Sequence, residues 1–212
     1  MGDRRPIAAR TLPPVVALSG WLVRRGASAN GISVAGMGAG CLAGIALAYA
    51  PGSAALWLLG AVLVQLRLLA NMLDGMVAIG RGTASPVGEL FNEVPDRVAD
   101  TAVLIGLGVA AGSVAWGMAA AMAAMATAYV RAVGFGLGQP SDFGGPMAKP
   151  HRMAVVTGAA LLCAVWPAQQ GLVPLLALYG ITVLAVATAL RRLANVARGL
   201  RARELRPRER RT

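Results

Sequence analysis

The sequence predicts an all-α membrane protein with six transmembrane helices and an N-terminal amphipathic interfacial helix. Apolar residues make up 57% of the 212 residues and charged residues only 14%, and the mean hydropathy is +0.63. This composition is typical of a chain surrounded by lipid. Because a bilayer core about 30 Å thick needs roughly 20 apolar residues per helix, six stretches qualify: about 32–50, 55–78, 90–111, 114–137, 153–170 and 172–190.

The segment 13–25, ahead of the first span, is predicted to form the interfacial helix. Its two leading prolines suit a helix start. Val15, Leu18, Trp21 and Leu22 recur at helical spacing, as expected for a helix lying on the membrane surface. The predicted organisation is a cytoplasmic N-terminus with this helix over 1–29, a six-helix membrane domain over 30–192 and a basic cytoplasmic tail over 193–212.

The basic residues predict the topology. The net charge is +11, yet the connections near 51–53, 112–113 and 167–171 carry no charged residue at all. By the positive-inside rule both termini are then cytoplasmic, as expected for an integral protein of a bacterial cytoplasmic (inner) membrane. Attraction to anionic membrane lipids accounts for the excess positive charge. No nucleic-acid partner is therefore expected, and RNA binding by the tail is the lesser alternative.

Carboxylates concentrate in one short part of the chain. Of nine acidic residues, five lie between positions 74 and 100: Asp74, Glu89, Glu93, Asp96 and Asp100. A carboxylate at the centre of a membrane helix costs about 2.5–3.5 kcal/mol, and neighbouring carboxylates also repel each other. The cluster therefore predicts a compensating cation.

Helical spacing places these groups on two facing surfaces. Asn92, Asp96 and Asp100 are each four residues apart, and Asn71 and Asp74 are three apart, so each set shares a helix face. A hairpin of spans two and three would bring the faces together. Oxygen ligands without cysteine or histidine favour Mg²⁺ or Mn²⁺ over zinc.

Ordinary ion pairing is the structural alternative for the same residues. Asp74 would pair with Arg67 or Arg81, and Asp96 with Arg97 or Arg131, while Glu89 and Glu93 sit in water at the membrane edge. This alternative does not explain why acids, asparagines and glycines recur together at these intervals.

The segments Asn71–Ile79 and Gly88–Asp96 carry a more specific pattern, NMLDGMVAI and GELFNEVPD, separated by eight residues. It resembles the signature of the CDP-alcohol phosphatidyltransferases, D-x-x-D-G-x-x-A-R, a short spacer and G-x-x-x-D-x-x-x-D. The segment Asn30–Ser33 is similar to the Asn-x-x-Thr/Ser that precedes the first helix of that family. The motif residues in their expected places are Asp74, Gly75, Ala78, Gly88 and Asp96.

The resemblance implies a transferase of phospholipid synthesis. In that family a CDP-linked lipid or alcohol donates its phosphoryl-linked group to an acceptor alcohol and releases CMP. Four motif aspartates hold two divalent metals against the diphosphate, and the last is the proposed base. A homodimer is also implied.

Carried over by position, the resemblance gives three groups of site residues. Asp74, Asp96, Asn71 and Asn92 would be metal ligands, with Asp96 also the catalytic base. The nucleotide would be bordered by Gly75, Ala78, Arg81 and Gly88. An acceptor phosphate would be held by Arg131, Lys149 and Arg152, although positive-inside anchoring explains these basic residues equally well.

Three positions depart from the signature. Asn71 and Asn92 stand where the first and third aspartates belong, so two negative charges are lost, and Ile79 stands where the arginine belongs. Glu93 or Asp100 could supply a missing carboxylate, and Arg81 could replace the arginine. The alternatives are a catalytically silent homologue that binds lipid or nucleotide, and a small transporter.

Overall fold

The computed structural model describes residues 11–83 and 85–204, except for the side chains of Pro86 and Glu89. Positions 1–10, Ala84 and positions 205–212 lie outside the described part, and with them the first ten residues of the predicted N-terminal region and the last eight of the predicted basic tail. Within the described residues there are α-helices, short 3₁₀ segments and no strand, so the all-helical prediction is confirmed for them. The helices are α1 Pro13–Arg24, α2 Ala29–Ala48, α3 Ala54–Gly80, α4 Pro86–Ala110, α5 Val114–Gly136, α6 Lys149–Val165 and α7 Leu172–Glu204.

Four of these helices, α2, α3, α5 and α7, are long and apolar enough to cross a membrane. The other two predicted spans coincide with α4 and α6. Helix α4 differs from the four candidate membrane helices in its charge, and α6 differs from them in its length. The first half of α4 carries Glu93, Asp96, Arg97 and Asp100, and α6 has 17 residues.

Serine residues begin three of the helices. The hydroxyl oxygens of Ser28, Ser53 and Ser85 accept hydrogen bonds from backbone N–H groups three residues later, at 3.3, 3.4 and 3.1 Å. An N-cap of this kind satisfies a donor that has no partner inside the helix. These caps explain why the helices begin just before the apolar stretches.

Two predicted helix ends are wrong. The span predicted over 153–170 ends at Val165, because Pro167 has no backbone N–H and disfavours helical geometry at Trp166. The last helix, predicted to end near 190, continues to Glu204. Arginine and alanine are good helix formers, so the basic sequence beyond the apolar stretch extends the helix.

Glycines in α2 allow the other helices to approach closely. A Cβ on Gly36 would collide with Ala70 of α3, and one on Gly40 or Gly44 would collide with Ala99 or Ala102 of α4. Small residues at such intervals allow two backbones to come into contact. The row of glycines thus brings α2 into close contact with both α3 and α4.

Helix α2 packs against both α3 and α4, whereas α3 and α4 make few direct contacts with each other. Helix α5 packs against α4 and α7, and α6 packs against α3 and α7. The short connection between α3 and α4 keeps the end of α3 beside the beginning of α4. The polar side chains of these two helix ends therefore meet next to α2.

Candidate functional site

A small pocket opens between α2, α3 and α4. Its empty volume is about 190 Å³ including the part open to solvent. Asn71, Asp74, Asn92 and Asp96, which the spacing placed on two helix faces, all line it, whereas Asp100 of the same α4 face does not. The lining residues are Ser33, Gly36, Met37, Arg67, Asn71, Asp74, Asn92, Pro95 and Asp96.

Asp74 is buried and held by donors from three helices. Its Oδ2 accepts a 2.6 Å hydrogen bond from the Ser33 hydroxyl of α2. Its Oδ1 accepts hydrogen bonds from the backbone N–H of Gly75 at 2.5 Å and from the side-chain amide of Asn92 at 3.4 Å. Hydrogen bonds to a carboxylate are among the stronger ones in proteins, so this side chain has a fixed position.

An amide pair joins α3 to α4 beside Asp74. The Asn71 side chain donates to the Asn92 side-chain oxygen at 2.9 Å. The Asn71 oxygen in turn accepts a hydrogen bond from Lys149 Nζ, also at 2.9 Å. Lys149 is the first residue of α6, so a third helix reaches the site through this ammonium group.

Asp96 is engaged by two cations. Its Oδ2 forms an ion pair and a hydrogen bond with Lys149 Nζ. Its Oδ1 lies 3.2 Å from Arg67 Nη2, which also donates to the Asp96 backbone oxygen at 3.0 Å. Both cations therefore hold the carboxylate at the edge of the pocket.

A second ion-pair cluster lies behind the pocket, around Asp100. Its Oδ1 is 2.5 Å from Arg67 Nη2 and its Oδ2 is 3.2 Å from Arg152 Nη2. Asp100, Arg67 and Arg152 are all buried. Counting cations within 3.2 Å of a carboxylate, the pocket and this cluster hold three carboxylates and three cations, and Arg97 lies further away, 3.8 Å from Asp96. The members are Asp74, Asp96, Asp100, Arg67, Lys149 and Arg152.

The other two candidate phosphate-binding residues contact protein groups. Arg131 lies 2.5 Å from Glu93 and over the ring of Phe143, with 5.2 Å between guanidinium carbon and ring centre. Arg152 donates to the Met147 backbone oxygen at 2.9 Å. Lys149 is the one of the three that is bonded to pocket-lining residues within the described part of the chain.

The four candidate nucleotide-binding residues are not among the residues that line this pocket. Gly75 and Ala78 lie on α3, and the N–H of Gly88 donates to the capping hydroxyl of Ser85. Arg81 donates to the backbone oxygens of Gly26 and Ala27, at 2.8 and 2.6 Å. These two hydrogen bonds link the end of α3 to the connection between α1 and α2.

The remaining carboxylates pair mainly with residues other than those predicted. Glu93 pairs with Arg131, and Asp100 with two arginines. Of the ion pairs considered as the structural alternative, Arg97 lies 3.8 Å from Asp96. The described side chains show no ion pair of Asp74 with Arg67 or Arg81, since Arg67 points to α4.

Two pocket-lining residues, Arg67 and Ser33, were not among the predicted site residues, and Arg67 was considered only as an ion-pair partner of Asp74. Arg67 precedes Asn71 by four residues and Asp74 by seven, so all three share one face of α3. An arginine inside an apolar stretch is itself a functional signal, and this spacing could have revealed it. Ser33 was named only as part of the motif that resembles the family, and its position in the sequence gave no indication of a contact with Asp74.

The loop between α5 and α6 is attached to α7 through Asp142. The Asn195 side chain donates to Asp142 Oδ2 at 2.7 Å, and the Gly144 N–H donates to Oδ1 at 2.8 Å. Partial burial raises the pKa of Asp142, but these hydrogen bonds and the nearby Arg192 and Arg191 outweigh it and hold the pKa below its ordinary value. The carboxylate is thus charged at neutral pH, which keeps the loop beside the pocket attached to α7.

No protein-family model matches the chain. Two curated relatives do, and both are phosphatidylinositol phosphate synthases. The protein of Mycobacteroides abscessus is 32% identical over 152 residues, which make up 68% of this chain and 66%, just under two thirds, of that synthase. The protein of Streptomyces avermitilis is 28% identical over 205 residues, which make up 92% of this chain and 81% of that synthase.

Solved structures share the fold. The Mycobacterium tuberculosis phosphatidylinositol phosphate synthase in complex with manganese and citrate matches with a TM-score of 0.73 at 23% identity, over 86% of this chain and 88% of that chain. The same synthase with CDP-DAG bound matches with a TM-score of 0.71 at 22% identity, over 86% and 92%. The chain is therefore similar in sequence to two phosphatidylinositol phosphate synthases, and it shares the fold of a third.

Proposed function

We propose that this protein transfers a phosphatidyl or phosphoalcohol group from a CDP-linked donor to an acceptor alcohol, with release of CMP, in phospholipid synthesis. The observation that carries the proposal is that Asp74 and Asp96, the two motif carboxylates present, line one pocket with Asn71 and Asn92. Homology to phosphatidylinositol phosphate synthases, one of which has a structure with CDP-DAG bound, supports it.

The proposed setting is a cytoplasmic (inner) membrane, with α2 to α7 as six spans, α1 on the surface and both termini cytoplasmic. The charges of α4 support this, because Asp96 and Asp100 are buried inside the protein while Leu90, Val94 and Val98 are exposed. A helix with that arrangement presents apolar side chains to lipid and polar ones to its neighbours. A homodimer is the assembly that the family resemblance implies.

The residues of the pocket fit one divalent ion better than two. The Asp74 carboxylate and the amide oxygens of Asn71 and Asn92 are hard oxygen donors. Each amide oxygen has a second lone pair beyond the one used by its present hydrogen bond. However, the described residues contain no group of three acidic, histidine or cysteine side chains able to hold a metal, and Asp96 is engaged by Lys149 and Arg67.

A bound Mg²⁺ or Mn²⁺ would supply neutralisation of the donor diphosphate. The protein's own groups carry the remaining work. Asp96 accepts the proton of the acceptor hydroxyl while the oxygen of that hydroxyl forms a bond to the phosphorus of the transferred group. The bond from that phosphorus to the oxygen of CMP breaks, and the electron pair leaves with CMP. Arg67 holds Asp96 in place through its backbone and side-chain oxygens.

The test is CMP release by the purified full-length protein in lipid nanodiscs. CDP-diacylglycerol and Mg²⁺ or Mn²⁺ would be supplied with a panel of acceptors that includes inositol phosphate, glycerol phosphate and serine. We expect metal-dependent CMP release with at least one acceptor. An absence of turnover with every acceptor, from protein that still melts cooperatively, would contradict the proposal.

A catalytically silent homologue is the second candidate. It is favoured by one observation, namely that two cations already hold the Asp96 carboxylate. A silent homologue would bind CDP-diacylglycerol or CDP without releasing CMP. Equilibrium binding measured beside the turnover assay separates the two candidates.

A further inference from the structure

The lysine at the start of α6 makes contacts typical of a bound cation. Lys149 Nζ bonds to Asn71 Oδ1 on α3 at 2.9 Å and to Asp96 Oδ2 on α4. Its side chain is 15% exposed, so the ammonium lies at the inner edge of the site. One positive group thus bridges oxygens from the first and last positions of the signature.

The charge of the site agrees with this role. The two asparagines remove two negative charges from the motif, and the remaining carboxylates lie beside at least as many cations of the protein. A site intended for two divalent ions needs an excess of negative charge to bind them. Here a divalent ion beside Asp96 would lie next to an ammonium and would be repelled by it.

An ammonium can also perform part of the work of a metal. It is a compact point charge with three donors. Two of those donors are used by Asn71 and Asp96, which leaves one for an oxygen of a phosphate. Lysine binds phosphate in this way in other nucleotide sites.

We infer that Lys149 is a built-in cation that replaces one of the two divalent ions of the family's site. A single metal then binds beside Asp74, and the ammonium of Lys149 contacts the donor diphosphate. This inference rests on the proposed function for the identity of the donor. It differs from the role predicted from the sequence, in which Lys149 holds the acceptor phosphate, because it places Lys149 against the diphosphate of the donor.

Metal stoichiometry tests the inference without turnover. Mn²⁺ binding to the full-length protein would be titrated by electron paramagnetic resonance, with and without CDP. We expect one ion for the wild type and for Asn71→Asp with Asn92→Asp. Two ions are expected when Lys149→Gln is added to that pair, because the motif carboxylates are then present without the ammonium. Lys149→Arg in the same background should restore one ion.

A second measurement covers the case in which the triple variant does not fold. Binding of CDP to the wild type in EDTA should weaken by less than about tenfold, whereas Lys149→Gln should lose about a further tenfold or more under the same conditions. Two ions bound by the wild type would overturn the inference. Equal binding of CDP by the wild type and Lys149→Gln in EDTA would also overturn it.

The outcome is independent of catalysis. One ion and Lys149-dependent CDP binding, without CMP release for any acceptor, would leave the inference standing and remove the proposed function. Turnover by a wild type that holds two ions would support the proposed function and overturn the inference.

Discussion

The side chains of Asn71 and Asn92 form a 2.9 Å hydrogen bond that joins α3 to α4. The family signature has aspartates at both positions, and two carboxylates at this distance would repel each other unless a cation lay between them. Two amides can instead bond directly. The beginning of α4 is therefore held beside α3 by the protein itself, and we expect the fold to be stable in EDTA.

Replacing the proposed base is the most direct test of the mechanism. Asp96→Asn should lower CMP release by at least about 100-fold, because a positioned base contributes roughly 10²–10⁴-fold. The similar size of asparagine keeps the side-chain volume, so the protein should still insert in the membrane. The assay is CMP release under saturating donor, together with the melting temperature.

Asp142→Asn is the matched control for this change. It makes the same substitution in the loop between α5 and α6, where Asp142 bonds to Asn195 and Gly144. We expect most of the activity to remain. Full activity of Asp96→Asn would remove Asp96 from the mechanism.

Restoring the two motif aspartates should strengthen metal binding. Asn71→Asp with Asn92→Asp adds two negative charges beside Asp74, and the Kd for Mn²⁺ should fall by at least about tenfold. Isothermal titration calorimetry measures the affinity. An unchanged Kd would mean that these two side chains do not face the metal.

Arg67 should be important for the stability of the protein as well as for the position of Asp96. Arg67→Leu leaves Asp96 and Asp100 without a shared partner in a buried place, and breaking a buried ion pair costs about 3–5 kcal/mol. A large fall in melting temperature in detergent is therefore expected. Arg97→Leu is the control, since its pairs are at 3.8 and 3.9 Å, beyond hydrogen-bond distance, and a smaller fall in melting temperature is expected. Similar melting for both variants would contradict the account of Arg67.

Two glycines of α2 allow a matched test of helix packing. A methyl group on Gly44 would collide with the backbone of Ala102, whereas one on Gly38 would meet nothing within 4 Å. Gly44→Ala should destabilise the protein by about 1–3 kcal/mol. Gly38→Ala should be neutral or stabilise it by up to about 1 kcal/mol, because alanine favours the helix. Thermal unfolding gives both values, and equal effects would show that α2 and α4 are not in close contact.

Apolar runs and their polar boundaries were sufficient to predict the helices. The six predicted stretches correspond to α2 through α7, because each apolar run is long enough for one helix and is bounded by glycine, proline or serine. The ends were less predictable. The chain beyond position 190 is charged, so hydropathy indicates the end of an apolar stretch there and not the end of a helix, which comes at Glu204.

Spacing also predicted which residues of α3 and α4 line the pocket, because periodicity within a helix determines its faces. Contacts between distant helices could not be derived in this way. Lys149 lies 78 residues from Asn71 and 53 from Asp96, and its place depends on how α6 packs against α3. The pairing of Arg67 with α4 likewise depends on tertiary packing.

A structure of the protein with CDP-diacylglycerol and Mn²⁺ tests the central claim most directly. The account predicts that the diphosphate lies between Asp74 and Lys149 in the pocket of α2, α3 and α4, with anomalous signal for one manganese beside Asp74. A diphosphate bound elsewhere, with Asp74 and Asp96 still joined only to their protein partners, would contradict it.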